Sequence, residues 1–222
     1  SSDVCSSDLD WHREQLPGGC KEWLPLQSAI WAAGEGAEAL IASPDIPLFC
    51  VGDVVRGRWP KELNLTSGRI FSYVLNNYWH TNYKAAQGGP ISFSYRLTSA
   101  RAFAPDEAFR FGMAARRPLF AQRISYQDFR RPAEPYTNPT GGQLASVEPA
   151  QAHLSTIRPA RWAAGWVLRL QEIGGQARTA VVRLPGRRIA RAWSVDLLEH
   201  EGAPLPVAPD GSLHVPLPAW GL

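Results

Sequence analysis

The sequence predicts an all-β fold built as antiparallel β-sandwich, and three observations carry that prediction. Glycine and proline each supply 19 of the 222 residues, a density of turn-formers that suits many short elements better than a helical bundle. The stretches 70–74 and 91–97 alternate apolar and polar side chains with the period of a half-buried strand. Between 166 and 217, at least four further strand-like runs are separated by tight turn signals, the pattern of a small sandwich. A hydrophobic share of 45% with 19% charged residues belongs to a globular chain able to bury a core.

The elements follow in order. Two apolar runs, 39–42 and 47–52, flank Ser43-Pro44-Asp45, which reads as a turn. The strand at 70–74 places Phe71, Tyr73 and Leu75 on one face. The strand at 91–97 places Ile91, Phe93, Tyr95 and Leu97 on its core face, with Ser92, Ser94 and Arg96 opposite. The connection between them, 76–90, is far longer than the roughly 2–5 residues a hairpin needs. Residues 105–115, opened by Pro105-Asp106-Glu107, form the one fair helix. Residues 130–150 are rich in Pro, Gly, Thr and Asn and read as a linker or surface loop. Trp166, Leu168 and Leu170 then alternate with Val167, Arg169 and Gln171. Gly174-Gly175-Gln176 turns the chain, and 179–184 returns. Strands at 192–198 and 212–217, with an Asp210-Gly211 turn, complete the set. The expected domains are 10–140 and 150–222.

Several function classes fall away. Lys plus Arg number 23 for a net charge of +3, but the Arg pairs are scattered rather than gathered on one element, as nucleic-acid binding requires. No apolar run reaches the roughly 18 residues of a membrane span. Cys5, Cys20 and Cys50 show no CxxC spacing, which excludes a zinc ribbon and disfavours a disulfide framework. A Cys20–Cys50 bridge stays open beside the reading of two buried free thiols. No phosphate-loop glycine pattern and no serine nucleophile elbow occur. Residues 1–9 resemble a translated sequencing adapter, and the last residues, 219–222, break off where an apolar stretch begins. Both ends read as the marks of a piece of a longer protein.

The most informative segment is 76–89, which gathers amides, Tyr78, Trp79, His80, Tyr83 and Lys84. Saccharide sites use this mixture: amides and lysines reach hydroxyls, and aromatic faces cover the C–H side of a ring. Asn77, Trp79, His80, Asn82, Tyr83 and Lys84 are the candidate substrate contacts. The same loop reads equally as a structural one that buries Trp79 and Tyr78. His80 has no second histidine at ligand spacing, so a hydrogen-bonding role outweighs a metal-binding or general-base role. Asp45, Asp53 and Glu62 read as turn or surface residues. Asn64-Leu65-Thr66 fits a glycosylation sequon, a motif frequent by chance.

Four segments together carry a resemblance: Pro17-Gly18-Gly19-Cys20-Lys21-Glu22-Trp23; Ser43 to Leu48; Tyr73 through Lys84; and Gln87-Gly88-Gly89-Pro90. They resemble the C-terminal β-region of glycoside hydrolase family 38, the α-mannosidases, in its bacterial branch. Phe109-Arg110-Phe111-Gly112 continues the pattern, and 154–159 with 197–199 resemble the family's last small sandwich. The resemblance implies a galactose-mutarotase-like supersandwich portion followed by a smaller C-terminal sandwich with a truncated last strand. It also implies an N-terminal catalytic domain outside this sequence, holding zinc and an aspartate nucleophile and acting on mannosides with retention. No catalytic or metal position is carried onto this chain, and no cofactor is expected in it. The expected role is a non-catalytic region that supports the catalytic domain and sends the 76–89 loop to the substrate. The alternative is a stand-alone carbohydrate-binding sandwich. An independent hydrolase using His80 lacks a partner nucleophile or second ligand.

Overall fold

The computed structural model describes residues 16–54, 65, 67–76, 80, 82, 84, 86–121 and 141–221. The chain divides into two units between Pro118 and Leu119. Among the described residues, antiparallel strands with one short helix give an all-β fold.

In the first unit the strands are β1 (Leu24–Pro25), β2 (Ile30–Gly34), β3 (Ala37–Ala42), β4 (Leu48–Val51), β5 (Ile70–Tyr73) and β6 (Arg96–Ala100), followed by the helix α1 (Pro105–Arg116). They form two three-stranded sheets, β1-β4-β5 and β2-β3-β6. The apolar runs flanking Ser43-Pro44-Asp45 become β3 and β4, and the Ser43 hydroxyl accepts the Asp45 amide at 3.2 Å. This side-chain turn sends the chain from one sheet to the other. Leu26, Ile30, Ile46, Phe49 and Val51 form the buried core, and Ile41, Ile70 and Phe93 pack against it.

The helix extends one residue beyond its predicted end. Pro105 starts it, and the Glu107 carboxylate accepts the Ala104 amide at 2.8 Å, satisfying a donor that the first turn leaves open. Ala115 packs with Ala29 and Ala42. Gly112 lies against the backbone of Ser28 so closely that a Cβ would come within 2.4 Å of its carbonyl carbon. The Arg116 guanidinium donates to the Gln27 carbonyl.

One predicted strand shifts. The ladder begins at Arg96, opposite Ala42, and ends at Ala100, opposite Glu38; residues 91–95 lie outside it. Leu97 is 72% exposed, Ile91 and Tyr95 are also exposed, and Phe93 alone of the four expected core residues joins the core. The reason is local. Asp45 Oδ2 accepts the Ser94 amide at 2.7 Å, and the Tyr95 and Ser72 hydroxyls lie 2.8 Å apart. Side chains hold 94–95 where a strand partner would otherwise stand.

In the second unit the strands are β7 (Ser146–Glu148), β8 (Ala152–Pro159), β9 (Trp166–Glu172), β10 (Arg178–Arg183), β11 (Ala192–Val195), β12 (Glu201–Leu205) and β13 (Leu213–Leu217). Its sheets are β13-β10-β7, β8-β9 and β11-β12. The first of these already begins at Ser146, inside the stretch expected to be linker; residues 122–140 lie outside the described residues. Ala152, Leu170, Ala180, Val182, Leu213 and Leu217 make the buried core, joined by Ala192 and Leu205, so all three sheets contribute to it.

Here too the sequence expectation needs correction. The Gly174-Gly175-Gln176 turn does not close a hairpin. Strand β9 pairs with β8, whereas β10 pairs with β13 and β7. The turn is a corner between sheets, and the buried side chain of Glu172 organises it. Glu172 accepts the amides of Gly174, Gly175, Gln176 and Trp220 and an ion pair from Arg178. Strand β11 stops at Val195 rather than Leu198, because Asp196 turns the chain there: its Oδ1 accepts the amides of Leu198 and His200. The last strand ends at Leu217, and the following residues bend back so that the Glu172 amide reaches the Gly221 carbonyl at 2.8 Å.

Candidate functional site

Of the predicted contacts, Asn77, Trp79 and Tyr83 lie outside the described residues, as does Tyr78. His80, Asn82 and Lys84 are all exposed, as are Asn76 and residues 86–90. The root of the loop is well held. It leaves β5 in one sheet and returns to β6 in the other, and the Ser72–Tyr95 and Asp45–Ser94 contacts tie its two ends to the fold. Glu62, Asn64 and Thr66 lie outside the described residues.

Beneath this root, a cavity of about 190 Å³ opens between the sheets, lined by Leu26, Ile30, Ile41, Ile46, Phe49 and Ile70, with Ser43, Ser72 and Tyr95 as its polar groups. Apolar walls dominate it, and it is smaller than most sites for a sugar-sized ligand. Nearby, Cys20 is half-buried and Cys50 buried, and the two are not joined by a disulfide; Cys5 lies outside the described residues. Burial pushes the Cys50 thiol up in pKa, reinforced by the Glu22 and Asp53 carboxylates. It donates to the Asp53 carbonyl at 3.3 Å. A thiol held protonated in this way is a poor nucleophile.

A second site, unforeseen in the sequence, lies in the second unit. Arg158, Pro159, Arg161, Trp162, Leu197, Leu198, Glu199 and His200 enclose an open groove of about 740 Å³. Two elements build it: the turn joining β8 to β9, and the turn joining β11 to β12. Glu199 clamps them together. Its Oε1 lies 2.6 Å from Arg158, and its Oε2 accepts the Arg161 amide at 2.7 Å. Its side chain keeps only 9% exposure. Its φ of 68° puts a non-glycine residue in the left-handed region, a strain that the surrounding bonds must hold.

Asp196 steadies the same turn. It accepts the amides of Leu198 and His200, and its Oδ2 lies 2.8 Å from His200 Nδ1. Those bonds fix the imidazole and leave Nε2 directed away from the carboxylate. The Arg161 amide and the Arg158 guanidinium hold the Glu199 carboxyl below the usual glutamate range, against the opposing effect of desolvation. The His200 amide and imidazole do the same for Asp196. Trp162 is 73% exposed, and the Arg161 guanidinium stacks on it 4.7 Å from the ring centre. The signal in the sequence was a run of two carboxylates and a histidine in Asp196-Leu197-Leu198-Glu199-His200, which the strand reading of 192–198 obscured.

Among the described residues, no three His, Cys, Asp or Glu side chains gather as a metal ion would need. No described helix is long and apolar enough to cross a membrane. No family model and no curated protein matches the chain.

Proposed function

We propose that this chain is the non-catalytic β-region of a retaining, zinc-dependent α-mannosidase-like glycoside hydrolase. It supports a separate catalytic domain and presents the 76–89 loop to a mannoside. The observation that carries this reading is the build of the loop, whose root is pinned while His80, Asn82 and Lys84 stand exposed beyond it. A long polar loop on a fixed sheet framework is a common way to deliver specificity contacts. The motif residues from Tyr73 to Lys84 supply the sugar class, through their resemblance to the α-mannosidases.

The role assigned to the loop is binding and positioning. Amide and ammonium groups at its tip hydrogen-bond pyranose hydroxyls, while bond cleavage and the metal belong to the catalytic domain. The test is kinetic, in the full-length enzyme. Asn82→Ala and Lys84→Ala should raise KM or lower kcat for an aryl α-mannoside, and unchanged kinetics in both would overturn the reading. The 222-residue chain alone should not hydrolyse that substrate with or without added zinc.

A further inference from the structure

We infer that the groove around Trp162 in the second unit is a binding site for a neutral pyranose ring, separate from the 76–89 loop. It rests on the second unit alone and does not depend on the mannosidase reading.

Three features specify the ligand. First, Trp162 offers a largely exposed indole beside a groove of about 740 Å³, a volume in the range of small-molecule sites. A sugar ring lays its C–H face on such a plate and gains from the ring's negative quadrupole. Second, the polar rim is fixed in advance. Glu199 bridges Arg158 and the Arg161 amide, and Asp196 holds His200. Preset donors and acceptors lower the ordering cost of binding. Arg158 donates, while the outer lone pairs of the Glu199 carboxylate accept, so adjacent hydroxyls find both partners. Third, the fixed charges balance: the Arg158 and Arg161 guanidinium groups stand with the Glu199 and Asp196 carboxylates. The Glu199 carboxylate feels both guanidinium groups, and that of Arg161 lies over the indole. A site so balanced favours a polyol over an anion. The left-handed backbone of Glu199 fits this role, since strain of that kind collects at ligand clamps.

The experiment is a titration of the 222-residue chain, followed by the backbone amide resonances of Leu198 and His200, which lie in the groove wall and are kept in every variant. The probes are methyl α-mannopyranoside, methyl β-glucopyranoside and sodium glucuronate. The expected result is saturable binding of a neutral glycoside with Kd of the order of 1 mM. Trp162→Ala and Glu199→Gln should each weaken it about tenfold or more, and Trp162→Phe should retain most of it. Far-UV circular dichroism of the variants shows whether the fold is kept, and Trp162→Phe tests the plate if Glu199→Gln loosens the turn. Three outcomes would overturn the inference: no saturable shift with either neutral glycoside, equal affinity in Trp162→Ala, or binding of glucuronate alone.

Discussion

Arg178 Nε lies 2.7 Å from Oε1 of Glu172, a carboxylate with no solvent exposure at all. Four amides complete its shell, from Gly174, Gly175, Gln176 and Trp220. Gln151 accepts a bond from the same arginine at 3.2 Å. A buried charge costs several kcal/mol to desolvate, and only a full set of partners offsets that cost. Glu172 has such a set. Replacing it by Gln keeps the shape but removes the charge that Arg178 faces. The expected loss is about 3 kcal/mol from the second unit, with the first unit unchanged. Urea unfolding followed at amides of β10 and, separately, of β3 checks this; equal shifts at both would contradict it.

The same carboxylate makes the second unit acid-labile. Burial pushes its pKa up, but the amides of Trp220, Gly174 and Gly175, together with Arg178, more than reverse this and hold it below the ordinary range. Asp196, Glu199 and Asp210 are also lowered, the last chiefly by the Ser212 hydroxyl. A group with a depressed native pKa stabilises the fold fully above its unfolded value and less as pH falls through the native one. The midpoint of unfolding should therefore hold from neutral pH to about 5 and fall steeply below about 4. In Glu172→Gln the fall should be shallower. Calorimetry across that range decides it.

Gly112 supplies a test in the first unit. Within a helix, alanine is worth about 1 kcal/mol more than glycine. Here the added methyl would meet the Ser28 backbone at 2.4 Å, and that contact yields only if α1 moves off the sheet. Gly112→Ala should cost about 2 kcal/mol despite its better propensity. A gain in Tm would show that α1 shifts freely.

Glu199 separates backbone strain from the ion pair. Glu199→Ala keeps the left-handed φ and loses the carboxylate, whereas Glu199→Gly loses the carboxylate and relieves the strain. The glycine variant should be the more stable of the two by thermal unfolding. The reverse order would mean that the turn relaxes once Arg158 is released.

Local chemistry made part of this fold legible. Ser43-Pro44-Asp45 signals its turn through a side-chain bond spanning two residues, and Pro105 with Glu107 signals a helix start within one turn. Strand β10 overlaps the run expected at 179–184, with Ala180 and Val182 fully buried. What stayed hidden depends on residues distant in sequence. Asp45 captures the amide of Ser94, which takes 91–95 out of the expected strand. Glu172 reaches Trp220, which turns an apparent hairpin into a corner between sheets. The Trp162 groove exists only because Glu199 joins two turns that no local pattern connects. In the 76–89 loop the residue types were legible, and so was the length of the connection. The anchoring of its root by Tyr95 and Asp45 was not.

The strand order β13-β10-β7 has a consequence for synthesis. Strand β10 is the middle of its sheet, yet one of its partners, β13, is made well after it. While the ribosome extends the chain, β10 emerges with β7 available on one side and nothing on the other. Its free edge stays open until residues 213–217 leave the exit tunnel. An unpaired edge of this kind invites pairing with another chain. The second unit is thus most vulnerable to misassembly in the interval between the appearance of β10 and that of β13.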